Sequence, residues 1–310
     1  MRENIVDPKN SRDLMIATVG SFVFFIGIAG NILVVVAVWR KKSLHSTTNF
    51  LLVNLATSDI TSLVFSPLLM IPKYVSFTNQ GSLADFLCMF VFSYHVILTA
   101  SIVSILTLTV LSVERYHAVV KPMNIGMRLR EGTVKYAIVS VWVVGILLTL
   151  PMYINSYYKE SSEDCRHTSY WTRAVSRTYQ VFLILFVVVI AFAITGFSYF
   201  HIVREMYFKK NQQNLASNSA AERLRNQRKR RVVKLSLTVT LVFAVFLLPF
   251  AVLITMKYFN ERAYRSYYKI AAILFFSEAG INPFLYAFQS AIFRHAFKHI
   301  LKCSCRASNM

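Results

Sequence analysis

Residues 96–116 read VILTASIVSILTLTVLSVERY. The run is uncharged until its end, where it closes on Glu114-Arg115-Tyr116. A second apolar run closes on Asn282-Pro283-Phe284-Leu285-Tyr286. An arginine where a membrane helix meets water can bond a partner protein or a neighbouring acid. An Asn-Pro pair inside a membrane helix frees backbone groups and makes a flexible point. Together the two strings predict a helical membrane protein that switches and reports to the cytoplasm.

The rest of the chain fits a bilayer. It is 55% hydrophobic and 15% charged, with a mean hydropathy of +0.49, against about 25% charged residues in soluble domains. A span needs roughly 20 apolar residues. Seven runs qualify: Met15–Trp39, Asn49–Pro72, Phe86–Val113, Val134–Ile154, Thr178–Tyr199, Val232–Met256 and Tyr268–Phe288. Seven such runs leave too little polar surface for a soluble bundle, and the short alternating segments of a β-barrel are absent. The expected fold is all-α, a seven-transmembrane helical bundle with a short C-terminal membrane-surface helix. It divides into an outer N-terminus (1–13), a membrane domain (14–288), and an amphipathic helix with a cytoplasmic tail (289–310). The first run follows a polar leader and is long enough to span, so no cleaved signal peptide is expected. There is no repeat and no Asn-x-Ser/Thr sequon; residues 211–221 read as a polar linker.

The net charge of +20 raises the question of nucleic acid. Its distribution argues against that partner. With the N-terminus outside, 22 of the 34 Lys and Arg fall on inner segments and 12 on outer ones, which marks the inner side as cytoplasmic. The densest run, Arg223–Arg231, leads into the sixth span. It can anchor topology and attract anionic membrane lipids, or dock a cytosolic partner.

The four cysteines divide by side. Cys88 and Cys165 face the outer, oxidising space, where a disulfide can form and pin the loop after the fourth span. Cys303 and Cys305 follow an amphipathic stretch, Ala291–Lys302, with Phe293, Phe297, Ile300 and Leu301 on one side. Palmitoylation beside a membrane-surface helix suits them better than a metal, because Cys-x-Cys lacks further ligands.

These residues, in this order, resemble the rhodopsin-like (class A) G protein-coupled receptors over nearly the whole chain. Gly30-Asn31 matches the family's first span. Asn54-Leu55-Ala56-Thr57-Ser58-Asp59 matches the second, with its buried Asp. Glu114-Arg115-Tyr116 resembles the Asp/Glu-Arg-Tyr triplet. Trp142 and Pro151 fit the fourth span, Tyr199 the fifth, Phe243 and Pro249 the sixth. Asn282-Pro283-x-x-Tyr286 and then Phe293-Arg294 fit the seventh and its surface helix. The resemblance implies a plasma-membrane protein with its N-terminus outside and its C-terminus in the cytoplasm. It would bind an extracellular ligand among the outer helix ends and a heterotrimeric G protein, and arrestin, in a cleft opened by the sixth helix. It implies that Glu114 holds Arg115 at rest and that Cys88 pairs with Cys165. A polar network of Asn31, Asp59, Ser104, Glu278 and Asn282 is expected, and the family often binds sodium at the position of Asp59. No other cofactor is implied. Ionisable residues inside a membrane are costly and mark function. Asp59 and Glu278 together could share a proton or hold sodium, or Glu278 could be a neutral hydrogen-bonding stand-in for Asn.

Four departures bear on mechanism. Leu247 stands where the family has its sixth-span Trp, leaving Phe243 or Phe246 to serve. Ala191 replaces the fifth-span proline, so the bulge that proline promotes is in question. Glu278 replaces a common Asn. Cys88 precedes Arg115 by 27 positions, two more than usual, and two residues turn a helix by roughly 200°. Either the helix starts later or a bulge absorbs the excess. Counting from Arg115, the ligand-facing positions are Ile97 and Ser101; counting from Cys88, they are His95 and Thr99. Phe250 is a further candidate contact on the sixth span. Neither count supplies the Asp of amine receptors. Phe276 stands where an opsin has its retinal-binding Lys. A peptide ligand therefore fits better than an amine or retinal, with a small molecule or lipid as the alternative. A transporter would show internal repeats or paired broken helices, and an enzyme a motif such as His-Glu-x-x-His or Gly-x-Ser-x-Gly; the sequence has neither.

Overall fold

A computed structural model describes residues 8–68, 83, 86–123, 126, 128–155, 171–209, 220–256 and 261–307. Its helices are α1 (Pro8–Arg40), α2 (Thr47–Leu68), α3 (His95–Val119), α4 (Val134–Ile154), α5 (Arg173–Val203), α6 (Ala220–Met256), α7 (Glu261–Gln289) and α8 (Ala291–Ala307). Seven of them contain stretches long and apolar enough to cross a membrane. In hydrocarbon every backbone polar group needs a partner within the protein, and a helix supplies it locally. The hydroxyls follow the same rule. Thr57 and Thr61, and Ser101, Thr107 and Thr109 of α3, each donate to the carbonyl four residues back at 2.6–2.9 Å. They need no water.

The helices close into a bundle. α1 packs on α2 and α7, α6 on α7, and α3 runs through the middle against α2, α4, α5 and α6. The core holds Leu55, Leu108, Leu111, Val239, Phe243, Leu247 and Tyr286. Val139 and Leu147 of α4, Phe182 and Val189 of α5, and Val245 of α6 are exposed, as lipid-facing side chains should be. α1 and α7 approach through small residues. A Cβ on Gly30 would stand 2.8 Å from Cγ of Pro283, and one on Gly27 would stand 2.7 Å from a Leu63 methyl. Glycine is what lets these membrane helices come so close.

Some boundaries differ from those read in the sequence. The third span does not start as one helix at Phe86. A π-helical turn covers Leu87–Val91, the chain bends over Phe92–Tyr94, and α3 proper begins at His95. Both expected devices, a late start and a bulge, thus absorb the two extra residues. α5 is continuous through Ala191, and its π-helical stretch comes later, at Arg204–Lys209. Without proline nothing frees a carbonyl at Ala191. α6 begins at Ala220, so the backbone of the basic run 223–231 is already helical rather than a lead-in. In α8, Phe293 and Phe297 are buried and Ile300 packs at the core's edge, but Leu301 is exposed. Arg294 caps α7, its guanidinium donating to the carbonyls of Ala287 and Phe288 at 3.1 Å each, groups a helix end leaves unpaired.

Gly30→Ala should cost about 1–3 kcal/mol through overpacking against the rigid Pro283 ring. Gly196→Ala, with nothing within 4 Å of its added methyl, should be neutral or stabilising. Thermal denaturation of both detergent-purified variants checks this; equal melting temperatures would contradict the close α1–α7 contact.

Candidate functional site

Three layers of side chains stack along α3 and its neighbours. Near the C-terminal end of α3 the Glu114 carboxylate accepts from Nε and a terminal nitrogen of Arg115. The Glu114 side chain is 3% exposed and that of Arg115 15%, so the charge-assisted contact is shielded from water. Arg115 also lines a cavity of about 170 Å³ with Ala118, Val119, Pro122, Arg128 and, from α6, Val233. Val233 also belongs to a small apolar cluster with Tyr199, Ile202 and Met206, against which Tyr116 and Leu237 pack. Tyr116 places its ring edge-on to His201 at 6.0 Å and 6.0 Å from that of Phe197. The Tyr199 hydroxyl lies 3.4 Å from Thr240 Oγ1, joining α5 to α6. The arginine thus opens onto a seam between α3, α5 and α6.

The middle layer is polar and buried. Asn282 Nδ2 donates to Asp59 Oδ2 at 2.9 Å and to Glu278 Oε1 at 2.6 Å. One amide thereby joins the carboxyls of α2 and α7. Asn31 Nδ2 donates to the Ala279 carbonyl at 2.8 Å, bringing in α1. Ser104 meets Ser58 at 2.7 Å, bringing in α3. Each of these five expected residues is buried. Sequence reading missed a neighbouring network. Asn54 donates to Thr107 at 2.8 Å and accepts from the Trp142 indole at 2.9 Å, tying α2, α3 and α4. Both Asn54 and Trp142 stood out as motif residues, but nothing in the sequence joins them.

The family's sodium provides a test of this layer. Oδ1 of Asn31 and of Asn282 are buried acceptors with no hydrogen-bond partner among the described residues. With two carboxyls and two serine hydroxyls, they are hard oxygen donors of the kind an alkali cation takes. The residues therefore fit such an ion. Among the described residues no three His, Cys, Asp or Glu side chains gather to hold a metal. The Tyr286 hydroxyl is likewise buried without a partner among them, and its ring packs 5.7 Å from Phe293. Above the layer, Phe243 and Leu247 share the apolar core, whereas Phe246 is half-buried. Pro249 lies within α6 with its ring side exposed, and Pro283 within α7 is buried against Gly30.

In the outer layer the register of α3 is now visible. Thr99 Oγ1 lies 2.7 Å from Thr149 Oγ1 and 3.1 Å from the Tyr153 hydroxyl. The His95 ring packs 5.1 Å from that of Tyr153. His95 and Thr99 therefore face α4 and are buried there. Ile97 and Ser101 stand two residues further on, roughly 200° around the helix, away from α4. Gln180 of α5 donates to the Tyr94 hydroxyl. Phe250 stacks on Phe275 at 4.8 Å and nears Tyr268 at 6.3 Å, an aromatic group joining α6 to α7. Cys165 and the side chains of Cys88, Cys303 and Cys305 lie outside the described residues.

Comparison with known proteins agrees with this arrangement. The sequence matches the family described as "7 transmembrane receptor (rhodopsin family)" over residues 30–286. It is 26% identical to the QRFP-like peptide receptor of Branchiostoma floridae, covering 91% of this chain and 76% of that receptor. It is 28% identical to the allatostatin-A receptor of Bombyx mori, covering 91% and 78%. It is 31% identical to the GQ-coupled rhodopsin of Mizuhopecten yessoensis, covering 92% of this chain and 60% of that protein. These are receptors and not enzymes. With seven spans in sequence, the Glu114–Arg115 pair near the C-terminal end of α3 and Asn282 on the α2 carboxyl, the chain belongs to the rhodopsin family of seven-transmembrane receptors.

Proposed function

We propose that this G protein-coupled receptor sits in the plasma membrane and answers an extracellular peptide. Residues 1–13 would lie outside, 14–288 in the membrane and 289–310 in the cytoplasm. The names of two similar proteins, a QRFP-like peptide receptor and an allatostatin-A receptor, carry the peptide reading. The residues support it by elimination. α3 offers no Asp for an amine in either register, and a retinal Schiff base needs a lysine where Phe276 stands. Screening peptides on cells expressing the receptor, read by G-protein activation, tests this. Response only to amines, lipids or light would overturn it.

The cytoplasmic cleft is the proposed output. Peptide must bind one state better than the other to shift their balance. At rest Glu114 occupies Arg115. Outward movement of α6 would widen the seam beside Val233 and free Arg115 for the G protein, and arrestin would use the same opening. The contact is charge-assisted and shielded, worth about 1.5–3 kcal/mol. Glu114→Gln should therefore raise ligand-free signalling by about ten- to a hundredfold. Arg115→Ala should abolish coupling with the receptor still at the surface. Full signalling by Arg115→Ala would remove the arginine from the mechanism.

The Asp59–Asn282–Glu278 bridge is the proposed regulator. Asp59, Glu278, Ser104 and the Oδ1 atoms of Asn31 and Asn282 are the groups that would hold sodium. A shared proton would instead let one carboxyl donate to an unfilled acceptor. Either would favour the resting state, because α1, α2, α3 and α7 are joined there. Sodium should raise the thermal stability of the purified receptor and lower its basal signalling, and Glu278→Gln should blunt both effects and alter their pH dependence. Identical sodium and pH responses in the two proteins would leave a purely structural network.

At the outer end Cys88 and Cys165 are proposed to form a disulfide, and Cys303 and Cys305 to carry palmitate. Mass spectrometry of non-reduced, surface-expressed receptor should yield the linked Cys88 and Cys165 peptides, and acyl adducts on the tail that hydroxylamine removes. Free thiols at all four positions would refute both assignments.

A further inference from the structure

A second cavity, about 290 Å³, lies where the turn after α1 meets α8. Its lining is Lys41, Ser43, Ala291, Ile292, His295 and Ala296. None of these belongs to the ligand site, the carboxyl bridge or the Arg115 cleft. The turn is held in place. Lys42–Leu44 is a 3-10 turn whose Leu44 is buried, and Asn49 Nδ2 donates to the Leu44 carbonyl at 2.7 Å. His45 Nε2 lies 3.1 Å from the Val38 carbonyl. Across from it, Ala296 is buried, which fixes the face of α8 that carries His295.

The electrostatics of this corner have one sign. No Asp or Glu occurs in residues 40–58 or 279–310, whereas Arg40, Lys41, Lys42, Lys298 and Lys302 do. The first amides of α8 add their positive end. Beside the polar groups lies exposed hydrocarbon: Ile292 is 53% exposed, Phe288 77% and Trp39 78%. A cationic floor with a greasy flank, at the end of a membrane span, suits a ligand with an anionic head and an apolar tail. A soluble anion would have no use for the flank.

We propose that this cavity binds one anionic phospholipid of the cytoplasmic leaflet. Its phosphate lies against Lys41, Ser43 and His295, and an acyl chain runs along Ile292. The lipid ties α1 to α8, and α8 follows α7 through the Phe293–Tyr286 ring contact. It therefore braces the inner end of α7. The proposal rests on the membrane orientation given above only for naming the leaflet, because nanodiscs carry the same lipid on both faces.

The test uses full-length receptor in phosphatidylcholine nanodiscs doped with phosphatidylserine. After transfer to detergent, native mass spectrometry counts the retained anionic lipid. The parent should keep one. Lys41→Gln/His295→Gln should lower retention by about fivefold or more, from the lost Lys41 charge and the lost His295 hydrogen-bonding group. Lys42→Gln/Lys298→Gln, outside the lining, should leave it near the parental level. Ser43→Asp adds a repelling charge on an exposed turn, and Ile292→Gln removes the apolar flank without changing charge; both should lower retention. Thermal melting of each variant confirms that it is folded. Equal loss in the two double variants, no preference over phosphatidylcholine, or full displacement by inorganic phosphate would each overturn the proposal.

Discussion

One amide organises the receptor's interior. The Asn282 side chain donates to carboxyls on two helices, Asp59 on α2 and Glu278 on its own α7. In hydrocarbon a carboxyl without partners is very costly. The seventh helix must therefore sit at the depth and rotation that bring Asn282 to Asp59. The glycines of α1 allow this placement: Gly27 and Gly30 let α1 press against Gly280 and Pro283 closely enough for Asn31 to reach the Ala279 carbonyl. Pro283, which cannot donate to the helix ladder, falls directly after the bridging residue. The flexible point of α7 is thus buttressed on one side and hydrogen-bonded on the other.

The two ends of the bundle differ from this middle. Toward the outside, α3 and α4 are joined by Thr99, Thr149 and Tyr153, a side-by-side contact independent of α6. At the other end of α3, the Tyr199 hydroxyl lies 3.4 Å from Thr240 Oγ1 across the α5–α6 seam, beside the apolar cluster of Ile202, Met206 and Val233. Leu247 packs in the same core as Phe243, without an indole donor that would need a partner.

Much of this was legible in the sequence, for identifiable reasons. Span number followed from hydropathy, because a bilayer demands long uncharged runs whatever their packing. The members of the polar layer followed from the cost of burying Asp59 and Glu278 and from the family's motifs. What stayed hidden was rotation. A π-helical turn at Leu87–Val91 and a bend before His95 break the register between Cys88 and α3, and no composition signal marks a π turn. α3 is regular from His95 to Arg115, and His95 and Thr99 face α4. The Asn54–Trp142 bond was hidden for the same reason: both residues were noticed, but a contact between helices depends on their relative rotation. The fate of Ala191 was open because losing proline removes a cause of bulging without forbidding one; α5 stays regular there.

In the proposed mechanism the Glu114–Arg115 contact holds the α6 seam closed. The most direct measurement is a distance distribution between spin labels at exposed positions on α4 and α6, Lys135 and Arg231, by pulsed electron resonance. Introducing Glu114→Gln without ligand should transfer population to a longer distance, and adding G protein to the parent should select that same population. A distribution unchanged by Glu114→Gln, with G protein still producing the longer distance, would show that the seam is held by something other than this pair.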